Sequence, residues 1–253
     1  MKKILLMLTL FLIENCHVSY AISLTSYRIY LDKNFRTESF VIFNRTLKAE
    51  DCQLSFIDFP FDKASNIGKK ITGMTPKTSA TNLVRFSPKK FQIKGGSNQT
   101  VRFSLRRKAN TPVSEYHSYL SINCGKSIDD SNNNNGRISL SPRLVHNIPV
   151  IARTGELTAA LNFSDIHIDE GGKLVFTLNR SGNRSVYGVI EIINKTNGNV
   201  INYLQGVSLY AQSDYRAFDF SLPEGTDINS LRIRFKEDSK YGGSITINHD
   251  VKL

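Results

Sequence analysis

Helical periodicity is almost absent from the 253-residue sequence, so a helical class is not expected. Long apolar runs are equally scarce. Beyond the amino-terminal stretch, none approaches the about 20 consecutive apolar residues that a spanning helix needs. Residue groupings that carry chemistry are missing too. His117, His146, His167 and His249 are scattered, without the His-x-x-x-His or Cys/His spacing that zinc requires. No Gly-x-Ser-x-Gly nucleophile turn occurs. The acid pairs Asp129-Asp130 and Asp169-Glu170 are adjacent, so on an extended chain their carboxylates point opposite ways and make poor two-carboxylate sites. Gly95-Gly96 lacks a following helix and reads as a turn, not a phosphate cradle. These absences argue against an enzyme, a metal site and a cofactor.

Cysteine is nearly absent as well. Of three, Cys16 falls in a stretch read as discarded, leaving Cys52 and Cys124. That stretch, "MKKILLMLTLFLIENCHVSYA", has a positive start at Lys2-Lys3, a short apolar core from Ile4 to Ile13, and small residues at Ser19 and Ala21. It reads as an export signal over residues 1–21, cleaved after Ala21. In an oxidising compartment an even pair of cysteines reads first as a disulfide. Such a bridge closes a loop of about 70 residues, worth on the order of 4 kcal/mol in the chain-entropy model. Losing Lys2, Lys3 and Glu14 lowers the formal charge from +11 to +10. A basic balance suits nucleic acid, an anionic surface or acidic proteins. Export makes nucleic acid an unexpected ligand, and no stable membrane insertion is expected.

What the sequence does contain is short alternation of apolar and polar residues, punctuated by Gly, Asn, Asp, Ser and Pro. This is the mark of an all-β sandwich. In the first half, strands are expected at Ser26–Leu31, Glu38–Phe43, Cys52–Ile57, Leu83–Phe86, Thr100–Leu105 and Tyr116–Ile122. In Thr100–Leu105 the apolar set is Val101, Phe103 and Leu105, and Arg102 stands on the opposite, polar face. "KSIDDSNNNNGR", from Lys126 to Arg137, can bury little and reads as a flexible surface loop. After it, Ile138, Leu140, Pro142, Leu144, His146, Ile148, Val150 and Ala152 form one alternate face over a run far longer than the mean strand of about 5–6 residues. Two readings suit that run: a core strand of its own sandwich, or an edge strand that pairs with another chain. After Thr154-Gly155-Glu156, strands are expected at Leu157–Phe163, Lys173–Asn179, Val186–Asn194, Val207–Gln212, Phe218–Leu222, Leu231–Phe235 and Ser244–His249. Two sandwiches therefore occupy residues 22–153 and 154–253.

"SYRIYLDKNFRTESFVIFN", "RFSPKKFQIKGGSNQTVRFSLRR", "SEYHSYLSI", "NIPVIAR" and "LNRSGNRSVYGVIEI", in that order, resemble a periplasmic pilus chaperone of the chaperone–usher pathway, of its archaic branch. The resemblance covers almost the whole chain after the signal. It implies two immunoglobulin-like β-sandwich domains set at an angle around a cleft. It also implies pilus subunits as partners, an outer-membrane usher as the second partner, a Gram-negative periplasm as the location, and no cofactor or ATP. The donor strand lent to the subunit falls on Ile138, Leu140, Pro142 and Leu144. Arg28 matches one cation that clamps the subunit's terminal carboxylate. The second is a lysine in the family's better-known branch, and here that position holds Pro149, so Arg102, Arg106 and Arg143 become candidates. Glu115 and Arg153 match a salt bridge between the domains. In an immunoglobulin-like topology the strands carrying Cys52 and Cys124 are antiparallel neighbours whose ends meet. Two rivals remain: a secreted two-domain adhesin or pilus component, and an exported hydrolase with an accessory β-sandwich.

Overall fold

A computed structural model describes residues 22–126 and 144–252. Among the described residues the first half holds nine strands: β1 (Ile22–Leu24), β2 (Ile29–Leu31), β3 (Thr37–Asn44), β4 (Glu50–Ile57), β5 (Val84–Ser87), β6 (Lys90–Ile93), β7 (Asn98–Leu105), β8 (Ser114–Lys126) and β9 (Val145–Thr154). They form two sheets, ordered β1-β3-β7-β5 and β2-β9-β8-β4-β6. The second half adds β10 (Ala159–Ile168), β11 (Leu174–Gly182), β12 (Val186–Asn194), β13 (Val200–Leu209), β14 (Tyr215–Phe220), β15 (Leu231–Glu237) and β16 (Thr246–Asp250). Their sheets run β10-β11-β14 and β13-β12-β15-β16. All the pairings are antiparallel except β2 with β9, which is parallel. The chain is thus all-β, two sandwiches in sequence, each with its own apolar core.

Alternation explains why these segments are strands. On β7, Val101, Phe103 and Leu105 are buried in the first core while Arg102 faces water. Phe103 contacts Phe40 and Phe86 there. In the second core Phe176 is stacked on Phe220 and edge-on to Phe163. Cys52 of β4 lies directly opposite Cys124 of β8, and the two form a disulfide spanning 72 residues. By loop length it contributes about 4 kcal/mol.

Three places differ from the sequence reading. Within Ser26–Leu31 only Ile29–Leu31 is strand, because the Ser26 hydroxyl donates to the Arg28 carbonyl (2.7 Å) and accepts from the Arg28 amide (3.3 Å). The short strands β1 and β6 carry too few residues for alternation to declare itself. Strand β13 starts at Val200, seven residues before the expected Val207. Residues 203–206 are exposed, and Gly206 adopts a φ of +73° at a register shift, so the alternation is broken.

The long run after the asparagine tract divides at the start of β9. Ile138, Leu140, Pro142 and Arg143 lie outside the described residues. From Ile148 onward the even face is the protein's own core, with Ile148, Val150 and Ala152 buried. Leu144, on the same parity, is 61 % exposed.

Candidate interdomain cleft and strand edge

Strand β9 pairs with β8 along its whole length, from Asn123–Val145 to Ser114–Thr154. Its other side is covered only at residues 150–152, by Ile29, Tyr30 and Leu31. Among the described residues, 145–149 therefore present an open edge of unpaired backbone. An uncovered edge is a template for another strand. Pro149 sits in it without an amide hydrogen, the residue type that edges tolerate.

The edge stops where β2 begins. Extending the register by one residue sets Arg28 beside Pro149, with Tyr119 next across the sheet. The neighbouring rung is Tyr30, Ile151 and His117. Because Ile29, Leu31, Leu120 and Val150 point into the first core, this second set points outward, toward the second sandwich. The sequence pattern dictates that division: Arg28, Tyr30, His117 and Tyr119 are all one step from core residues.

The second sandwich covers this face with aromatic side chains. Tyr30, Ile151 and Tyr210 form a small buried cluster, with Phe61, Tyr119 and Tyr241 against it. Arg28 is 2 % exposed, although it carries a formal charge. Its guanidinium carbon stands 4.4 Å from the centre of the Tyr187 ring and 5.9 Å from those of Tyr210 and Tyr241. Among the described residues its one side-chain hydrogen bond runs to the Ser208 hydroxyl at 3.4 Å, and its Nε–H has no acceptor. No carboxylate of the described residues pairs with it. Burying a charge without a counter-ion is costly, and the tyrosine faces offset only part of that cost.

His117 stacks on Tyr210 with ring centres 4.1 Å apart, and its Nε2 is likewise buried without a partner. The Tyr119 hydroxyl donates to that of Tyr210 at 3.2 Å. Burial, and secondarily the Arg28 charge, pushes the His117 pKa down to about 3. Burial pushes Tyr30 up to about 12 and Tyr119 higher still. Unfolded, an imidazole titrates near 6.5. Below that pH the unfolded chain takes a proton that the folded one refuses, so stability falls as the solution is acidified. By pH 4.5 the loss is about 3 kcal/mol. Urea midpoints measured at pH 7 and 4.5 should show it, and His117→Phe should remove most of it. An unchanged acid slope in that variant would show that His117 is not the titrating group.

The expected acid–arginine pair has a different geometry from a bridge between domains. Glu115 and Arg153 stand opposite each other on β8 and β9 of the first sandwich, with Arg153 Nε donating to Glu115 Oε2 at 2.9 Å. They face each other because both lie at the end of the same antiparallel pair. What crosses to the second sandwich is their joint hold on Ser185. Its amide and hydroxyl donate to the Glu115 carboxylate at 2.9–3.0 Å, and its carbonyl accepts from Arg153 at 2.8 Å. Ser185 is presented by a turn that Arg180 ties together, donating to the carbonyls of Gly182, Arg184, Ala211 and Ser213. Arg184 pairs with buried Glu237 at 2.6 Å. The segment "RSGNRSVYG" is thus an interdomain fitting, and its tyrosine is the Tyr187 that lies over Arg28. Gly242, at φ +71°, packs so closely on the Tyr30 hydroxyl that any Cβ would collide with it.

Arg102 and Arg106 stand elsewhere. Arg102 lies on β7, in the sheet on the far side of the first core, beside Ser39 and Ser87. With Arg85 and Arg106 it lines an open hollow of about 560 Å³. The structure does not bring Arg102 or Arg106 together with Arg28, because β7, which Arg106 directly follows, belongs to the sheet that does not carry β2 and β9. Sequence reasoning missed His117, Tyr187, Ser208, Tyr210 and Tyr241. Of these only His117 carried a signal, as an outward step in "EYHSYLSI". Among the described residues no group of His, Cys, Asp or Glu could hold a metal ion.

These features define a two-sandwich β-protein whose long strand keeps an open edge ending at a buried arginine. No protein-family model matches the chain, and no curated protein matches it. Several solved structures are similar. The periplasmic chaperone SfaE is 14 % identical, with 91 % of this chain and 100 % of that one covered, at a TM-score of 0.46. A chain from the CsuC–CsuE chaperone–tip adhesion subunit pre-assembly complex, from archaic chaperone–usher Csu pili of Acinetobacter baumannii, is 12 % identical. Coverage is 90 % and 98 %, with a TM-score of 0.48. A chain from the complex of the SafA pilin with the SafB chaperone of Salmonella enterica is 10 % identical, with 92 % and 97 % covered and a TM-score of 0.49. At these identities function has to be read from this chain's own residues.

Proposed function

We propose that this protein is a periplasmic chaperone of the chaperone–usher pathway. It lends a strand to the incomplete sandwich of a secreted pilus subunit and passes the subunit to an outer-membrane usher. The observation that carries this reading is the open edge of β9 running out at Arg28. A subunit strand laid along residues 145–149, parallel to β9, meets the start of β2 head-on. Its terminal carboxylate then arrives at the guanidinium of Arg28, a charge that otherwise has no counter-ion among the described residues. Backbone pairing supplies affinity, and alternate side chains supply register.

Ile138, Leu140, Pro142 and Leu144 share the parity of the core residues Ile148 and Val150, so they continue that apolar line into the subunit. Fully burying each such side chain is worth about 1.5–3 kcal/mol. No ATP is needed, because the subunit's unfinished folding is retained until a new strand replaces the loan. The export signal, cleaved after Ala21, belongs to the same reading. Among the described residues no helix is long and apolar enough to cross a membrane.

The test is Leu144→Asp. Leu144 is largely exposed, so the variant folds with a melting temperature close to wild type. Tagged and expressed with its pilus operon, it recovers no subunit from the periplasm. Recovery at the wild-type level would exclude the lent strand.

A further inference from the structure

Two buried nitrogens in the cleft lack a hydrogen-bond partner: Nε of Arg28 and Nε2 of His117. Buried donors are paired in nearly all native structures, and an orphan demands an explanation. Two such orphans on one outward face, at the end of an open strand edge, point to an acceptor that belongs to something else. Tyr210 lies against both, stacked on the imidazole and 5.9 Å from the guanidinium carbon. Tyr210 also lines a crevice of about 590 Å³ between the sandwiches, together with Phe61, Tyr119 and Ser208. Ser208 is also the residue that Arg28 holds.

We propose that His117 is the second donor of the carboxylate site, and that Tyr210 covers both donors until a terminal carboxylate enters from the crevice. The proposal rests on the chaperone reading above. Neutral His117 with its proton on Nε2 donates one hydrogen bond to one carboxylate oxygen, and Arg28 donates to the other. Pro149, next to Arg28 in register, has no side-chain donor to offer, so the neighbouring rung supplies it. The charge at residue 28 and the carboxylate then neutralise each other in a site from which Tyr210 has swung away.

The experiment uses the full mature chain and a nine-residue peptide of alternating threonine and valine, lysine-tagged at its amino end, as free acid and as carboxamide. Calorimetry measures both affinities for the wild type, His117→Phe and His117→Gln. The wild type prefers the free acid. His117→Phe keeps the stack on Tyr210 but loses about tenfold of that preference, and His117→Gln, which restores an N–H, regains part of it. A wild-type preference in His117→Phe overturns the role of His117 and leaves Arg28 standing. No preference in the wild type overturns the carboxylate anchor itself. If His117→Phe does not fold, nitrogen NMR of the wild-type imidazole decides: the free acid alone shifts Nε2, and no shift refutes the proposal.

Discussion

Glu115→Ala lowers the stability of this protein by about 3–5 kcal/mol, the cost of leaving one member of a buried ion pair alone. Glu115 is 4 % exposed and is the acceptor for three donors at once: the Arg153 guanidinium, the Ser185 amide and the Ser185 hydroxyl. Removing it strands a largely buried guanidinium and two polar groups of the second sandwich. Arg153 keeps weaker bonds to the carbonyls of Ser185 and Gly242, which limits the loss but cannot replace a counter-ion. Because Ser185 belongs to the second sandwich, the effect also loosens the interface, and the urea transition broadens as the two halves unfold less cooperatively. Glu115→Gln retains an acceptor for the Ser185 amide and costs less. A loss below about 1 kcal/mol for the alanine variant would show that the pair is dispensable.

On the proposed strand-lending reading, Arg28→Ala has its largest effect on binding. A charge-assisted arginine–carboxylate contact in a site closed to water contributes about 3 kcal/mol, so subunit capture weakens on the order of a hundredfold. Stability changes much less, because the substitution removes an uncompensated buried charge along with its stacking on Tyr187. Arg28→Lys does not restore capture, since an ammonium lacks the planar fork. Pull-down of the subunit from the periplasm, quantified against a dilution series of wild-type complex, measures the effect. Wild-type yield would remove Arg28 from the anchor.

The parts of this protein that follow a period of two were legible in its sequence. Val101, Phe103 and Leu105 declared a buried face, and Ile148, Val150 and Ala152 another. Arg28, Tyr30, His117 and Tyr119 occupy outward steps of such strands, so their common face is implicit in the alternation. What covers that face was not legible. Tyr187, Ser208, Tyr210 and Tyr241 come from separate segments of the second half, and no spacing rule joins residues that meet only when two sandwiches dock. The role of Ser185 was hidden for the same reason, since a serine in a turn gives no sign that two charged residues will hold it. Arg102 shows the converse limit: a period of two tells which side of a sheet a residue takes, not which of the two sheets faces the cleft.

On the proposed function, the open edge of β9 receives a foreign strand that ends at Arg28. Amide hydrogen exchange on residues 144–149, in the free protein and in the complex with the subunit that co-purifies, tests it most directly. The amides along that edge should slow by orders of magnitude in the complex, while those of the exposed edge strand β13 keep their free rates. Unchanged exchange at 144–149 with a subunit bound would mean that the client docks elsewhere, and the strand-lending account would be wrong.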